Sequence, residues 1–283
     1  MKQKQHILSE KQLERYTVYL RQQERAESTV RKYLHDLRDL EQYADGKPLT
    51  RERVLAWKEE LQRDKRASTV NSMLAAANGF FTFMGWQELC LRFLKVQKAL
   101  FREESRELTR GEYFSLVREA QKEGNYKLSL AMQTICATGI RVSELQYITV
   151  EVVAAGRAVI RNKGKLRTVF LPESLRKLLQ NYLRAQKITA GAVFVTKSGK
   201  PLDRANIWRS MKLLCEKAEV PSEKVFPHNL RHLFARTYYT AEKDLVRLAD
   251  ILGHSNVNTT RIYTAESNTD YAKRMEKLDL IAT

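Results

Sequence analysis

From Ile7 to Met84, apolar side chains return every three or four residues, the spacing that one face of a helix needs and a strand cannot use. Ile7, Leu8, Leu13, Tyr16 and Leu20 form one stripe, and Val30, Tyr33, Leu34, Leu37, Leu40 and Tyr43 a second. Val54, Trp57 and Leu61 make a third, and Val70, Met73, Leu74, Phe80, Phe81 and Met84 a fourth. Ser28 and Ser68 stand where helix N-caps are expected, and Gly46-Lys47-Pro48 marks a turn. With a shorter helix expected over Leu89–Ala99, residues 1–100 read as a helical bundle.

The polar run FREESREL, residues 101–108, has no apolar periodicity and reads as a linker. Thr109 and Glu112 then fit a capping box that opens a second domain over 109–283. Helical spacing resumes through Leu116–Ala120 and Leu128–Thr138. It gives way to three short β-branched runs, Ile148–Val153, Ala158–Arg161 and Thr168–Leu171, separated by turn residues. These predict a small three-stranded antiparallel sheet. After Pro172 the pattern is helical again, broken at Gly191, Gly199-Lys200-Pro201, Pro221, Pro227 and Gly253. The fold class is therefore mainly α in two domains.

Composition narrows the function. Lys and Arg number 50 against 33 Asp and Glu, a net charge of +17, and 43% of residues are hydrophobic. That apolar content argues against a disordered chain, and the charge favours a polyanionic partner, nucleic acid first. Most of the surplus falls after residue 104. The sequence shows no apolar run of membrane-spanning length and no secretion signal at the N-terminus. Cys90, Cys136 and Cys215 are too scattered for a disulfide framework or a CxxC metal site. A reduced, cytoplasmic protein is expected, with no membrane partner.

Four segments carry candidate chemistry. Pro227 suits a helix start, and behind it His228 and Arg231 share a face at i,i+3. A guanidinium beside an imidazole can hold phosphate oxygens while a proton moves. His228 and His232 are also i,i+4, but Asn229 stands where a zinc hydrolase needs Glu, so no metal site is expected. In ATGIRVSEL (137–145), Arg141 follows a glycine turn at a helix head, a natural anion site, and Glu144 is placed to orient it. The turn NKGKLR (162–167) gathers Lys163, Lys165 and Arg167 on a tip that can reach DNA. In LGHSNVNTTRIYT (252–264), His254 precedes Tyr263, a phenol that becomes a nucleophile only where cations stabilise the phenolate.

In this order and spacing, ATGIRVSEL, NKGKLR, FPHNLRHLFA (226–235) and LGHSNVNTTRIYT resemble the tyrosine recombinases of the phage integrase family, closest to the short Xer-type and transposon-type members. The resemblance implies a core-binding first domain with a SAM-like fold, a DNA breaking-rejoining catalytic domain, and site-specific recombination through a 3′-phosphotyrosine without metal, ATP or other cofactor. It implies that Arg141 and Arg231 clamp the scissile phosphate and that His228 is the acid/base partner. It further implies that His254 hydrogen-bonds the phosphate, Glu144 supports Arg141, and Tyr263 is the nucleophile. Lys163 would be the general acid, with Lys165 the alternative because the turn is one residue shorter than the usual family form; Lys165 and Arg167 would also bind DNA. The implied partner is double-stranded DNA with paired half-sites, held by a homo-tetramer or a hetero-tetramer with a related recombinase. The tail 268–283, with Tyr271, Met275, Leu278, Leu280 and Ile281 at near-helical spacing, would dock on a neighbouring protomer. A DNA-relaxing relative and a DNA-binding protein with a vestigial site are the rival readings.

Overall fold

A computed structural model describes residues 6–96, 106–162, 165–196, 198–254, 256–263 and residue 276. The chain divides into two compact units, Met1–Lys98 and Ala99–Thr283.

The first unit packs four helices, α1 (Glu10–Gln22), α2 (Glu27–Ala44), α3 (Arg51–Asp64) and α4 (Ala67–Met84). The four apolar stripes supply its core, with Leu13, Leu37, Leu40, Val54, Leu74, Phe80 and Phe81 buried. Two caps differ from expectation. Ala26 and Arg66 are the N-caps of α2 and α4, so Ser28 and Ser68 lie inside the first turns. The expected helix over Leu89–Ala99 is also different. A single 3-10 turn, Gln87–Leu89, is followed by chain without regular structure through residue 96. Two asparagines of α4 hold that chain in place of helical bonds. Asn78 pairs with both the N–H and the C=O of Leu91 at 2.8 Å, and Asn71 does the same for Leu94 at 2.7 and 2.9 Å. Seven residues apart, these amides share a helix face and satisfy backbone groups that a helix would have satisfied internally.

In the second unit, residues 106–108 are already packed. Leu108 is in its core, Arg236 donates to the Leu108 carbonyl at 2.7 Å, and Asn229 donates to that of Arg106 at 2.8 Å. The Thr109–Glu112 capping box then starts α5 (Arg110–Lys122), with reciprocal bonds of 2.7 and 3.2 Å. Next come α6 (Tyr126–Thr138), a 3-10 segment Val142–Tyr147, α7 (Val150–Ala155), β1 (Arg157–Asn162) and β2 (Lys165–Phe170). After them lie α8 (Glu173–Ala185), α9 (Arg204–Leu213), α10 (Pro227–Glu242) and α11 (Leu245–Leu252). Single 3-10 turns at Val257–Thr259 and Arg261–Tyr263 follow α11.

Among the described residues the sheet has two strands, not three: β1 and β2 pair antiparallel with Ile160 opposite Arg167. The β-branched run expected as a strand is α7. Thr149 caps it through the Val152 N–H at 3.3 Å, Gly156 ends it in the left-handed conformation, and Arg176 of α8 covers the carbonyls of Val153 and Ala154. Local capping and packing on α8 outweigh a weak strand preference over so short a run.

Candidate active site

Two turn glycines set up the site. Gly139 ends α6 at φ +67, and a Cβ there would lie 2.4 Å from the Phe234 ring of α10. Gly253 ends α11 at φ +64, and a Cβ there would lie 2.8 Å from Arg167 Cδ. Both positions need a left-handed backbone and an absent side chain. They let α10 and β2 approach the ends of α6 and α11.

Arg231, 1% exposed, sits where these ends meet. Its Nη1 donates to the Gly139 carbonyl, and its Nη2 donates to the Leu252 carbonyl at 2.7 Å. The same Nη2 lies 3.1 Å from His254 Nε2. One guanidinium thus satisfies carbonyls at the C-terminal ends of two helices, where cations are also favoured by the helix dipole.

Arg141 lies two residues beyond Gly139. Glu144, 2% exposed, accepts from the Arg141 backbone N–H at 2.7 Å and from Arg141 Nη1 at 3.0 Å. Its second oxygen also receives Arg167 Nη2, while Arg167 Nη1 donates to the Ile251 carbonyl. Burial raises the Glu144 carboxyl, but the Arg141 N–H and the charges of Arg167 and Arg141 outweigh it, and the group is held below the usual carboxylate range. The Arg141 side chain stays 32% exposed, with Nη2 at a long 3.5 Å from the Gly253 carbonyl.

His228 follows the helix-starting Pro227 and is exposed, its ring centroid 4.4 Å from that of His232. Desolvation by the surrounding protein, then the charges of Arg231, Arg204 and Arg141, hold it below the ordinary histidine value. His254 is pushed down to about 4 by burial and by Arg231, Arg141 and Arg167, and His232 to about 4 by burial and its basic neighbours. The surroundings thus disfavour the charged form of all three imidazoles.

Tyr263 is 5% exposed. Its ring stacks on His254 at 6.4 Å and meets His232 edge-on at 5.1 Å, and it joins a small cluster with Ala235, Leu248 and Leu252. Burial raises the phenol pKa, and the charges of Arg231 and Arg141 pull it back.

The fold therefore brings together Arg141, Glu144, His228, Arg231, His254 and Tyr263 from segments more than a hundred residues apart. Arg167 points elsewhere than the sequence suggests. It shares the inward face of the hairpin with Ile160 and Val169, and its guanidinium lies beneath Arg141 on Glu144. The two-residue alternation of β2, with apolar Val169 two positions on, is the signal that could have placed it there. Arg204, at the start of α9, and Thr260, whose hydroxyl meets His254, are site neighbours with no sequence signal of their own. Lys163 and the tail 268–283, apart from residue 276, lie outside the described residues; Lys165 opens β2. Among the described residues no group of three His, Cys, Asp or Glu is gathered as a metal site, and no helix is long and apolar enough to cross a membrane.

Residues 106–269, which contain every member of the cluster, match the phage integrase family. The chain belongs to the phage integrase family. Residues 13–88 match the N-terminal SAM-like domain of phage integrases. Tyrosine recombinase XerA of Pyrococcus furiosus is 27% identical over 279 residues, covering 95% of this chain and 94% of that protein. The XerH site-specific recombinase bound to its difH substrate before cleavage superposes with a TM-score of 0.69 at 20% identity, over 95% of this chain and 84% of XerH. A lambda integrase tetramer bound to a Holliday junction gives a TM-score of 0.72 at 17% identity, over 92% of this chain and 78% of that one. As a phage integrase family member, the protein is a tyrosine recombinase, an enzyme of site-specific DNA cleavage and rejoining.

Proposed function

We propose that Tyr263 is the nucleophile of this recombinase, with Arg141 and Arg231 binding the non-bridging oxygens of the scissile phosphate. The observation that carries this reading is the convergence of a single phenol, two guanidiniums and two imidazoles on the ends of α6, α10 and α11. A phosphodiester under attack passes through a dianionic, five-coordinate state, and preorganised cations in a partly water-free site stabilise it.

In this scheme the Tyr263 oxygen forms a bond to phosphorus and the bond to the 5′ oxygen breaks. His228, neutral and next to Arg231 in space, takes the phenol proton, and Lys163 gives a proton to the departing 5′ oxygen. His254 donates to a phosphate oxygen. Glu144 fixes Arg141, and Arg167 supports that carboxylate from beneath while Lys165 contacts DNA. The phosphotyrosine keeps the energy of the backbone bond, so a 5′ hydroxyl of a second duplex displaces Tyr263 without ATP. Tyr263 is buried in the free protein. It is carried by single turns, and the scheme requires those turns to shift on DNA binding to present it.

Two half-sites cut in one synapse call for several copies of the chain, and we infer a tetramer on DNA, made of this chain alone or with a related recombinase; the lambda integrase tetramer on a Holliday junction supports that reading. The 268–283 tail is its proposed link between copies. We place the enzyme in the cytoplasm, with the DNA it acts on.

The test is a nicked suicide substrate that traps covalent protein–DNA adducts. Wild type accumulates the adduct in EDTA, and Y263F binds the DNA without forming it. Strand cleavage by Y263F overturns the assignment.

A further inference from the structure

Thr260 is wholly buried, and a hydroxyl removed from water needs a partner. Its Oγ1 lies 2.9 Å from His254 Nδ1. The other ring nitrogen, Nε2, faces Arg231 Nη2 at 3.1 Å. A guanidinium offers only donors, so Nε2 must be the acceptor. The ring proton of the neutral imidazole is then on Nδ1, and Thr260 Oγ1 accepts it.

That tautomer is the wrong one for the reaction. On the side of Arg231, where a bound phosphate would lie, it presents a lone pair and not a proton. Protonating the ring is opposed by Arg231, Arg141 and Arg167, whose charges all bear on it. The remaining route is tautomer exchange, in which Nε2 takes up a proton, the ring passes briefly through the imidazolium, and Nδ1 gives its proton up, with no net change in charge. This requires an Nδ1 partner able to turn from acceptor to donor. A carbonyl or a carboxylate cannot do so. A threonine hydroxyl does it by rotating about one bond.

We propose that Thr260 is a positioning residue that lets His254 exchange tautomers, accepting from Nδ1 in the free enzyme and donating to Nδ1 when Nε2–H turns to a phosphate oxygen. The Thr260 carbonyl also accepts the Tyr263 backbone N–H at 3.0 Å. One buried residue therefore orients the imidazole and anchors the turn that carries the nucleophile. The inference rests on His254 as a phosphate ligand, as proposed above.

The experiment combines two readouts. The first is single-turnover cleavage of a suicide substrate at saturating enzyme by wild type, T260V, T260S, H254A and the double variant H254A/T260V. T260V is expected to cleave about 10- to 100-fold slower while binding DNA equally well, T260S to stay within about 3-fold of wild type, and the double variant to be no slower than H254A. The second is ¹⁵N NMR of the His254 ring in Y263F protein, which needs no Thr260 variant to fold. The proton is expected on Nδ1 in the free protein and on Nε2 with uncleaved DNA bound. The inference is overturned by a ring that keeps one tautomer in both states, or by T260V cleaving like wild type while H254A is slow. Undiminished cleavage by H254A overturns the underlying reading of His254, and this inference with it.

Discussion

Helix α10 and the short turns of residues 256–263 carry opposite halves of the proposed chemistry and are held in opposite ways. α10 runs for 16 residues and is tied down along its length: Asn229 to the carbonyls of Arg106 and Lys224, Arg231 to those of Gly139 and Leu252, and Arg236 to Glu107 and the Leu108 carbonyl. Tyr263 rests on two three-residue turns, packed ring against ring with His232 and His254. Arg231, a cation that the proposed mechanism needs preorganised, belongs to the rigid part. The phenol that the proposed mechanism brings to a DNA backbone, and later releases, belongs to the short turns.

The strongest test of that contrast sets R231A against Y263F. Both lose cleavage by about 1000-fold or more. R231A also leaves two buried helix-end carbonyls without a donor, so the second unit loses about 3 kcal/mol, whereas Y263F stays within about 1 kcal/mol of wild type. Chemical denaturation alongside single-turnover cleavage measures both, and equal destabilisation by the two variants breaks the comparison. Next in size is E144Q, which removes the buried charge that Arg141 and Arg167 share. A loss of about 2–3 kcal/mol and slower cleavage are expected, because two guanidiniums are left without their anion. G253A is milder, about 1–2 kcal/mol, from the left-handed backbone and the crowding of Arg167. In a double-variant cycle, the cost of G253A should be smaller in the R167A background than in wild type, since the crowding is gone and only the backbone penalty is added to the loss of the Arg167–Glu144 pair.

The smallest effect is on pH. His254 and His232 have folded pKa values near 4, below the unfolded histidine value, so the unfolded chain takes up protons first as the pH falls. Their stabilising contribution is complete above pH of about 6.5 and is lost as pH drops towards about 4. Glu144, also lowered, adds to the loss once pH falls below the usual carboxylate range. Melting temperature should therefore decline on the acid side, and H232N should flatten the decline between pH of about 6.5 and 5.

What could be read from the sequence follows the physics of range. The helical stripes and the spacing from His254 to Tyr263 are local patterns, and the structure keeps them. α7 was misread because a β-branched run of six residues is ambiguous until Thr149, Gly156 and Arg176 are seen to close its ends. The chain after Leu89 was misread because its bonds go to Asn71 and Asn78, asparagines that look like interruptions in an apolar helix. Arg167 reads as a loop cation until strand alternation turns it inward onto Glu144. Thr260 is one of several threonines until the fold sets it against His254.

The central claim concerns one atom, the Tyr263 oxygen, and the most direct measurement is mass spectrometry of the proteolysed adduct trapped on a nicked substrate. A phosphonucleotide mass on the peptide containing Tyr263, at that residue, is the predicted result. The same mass on any other side chain contradicts the account.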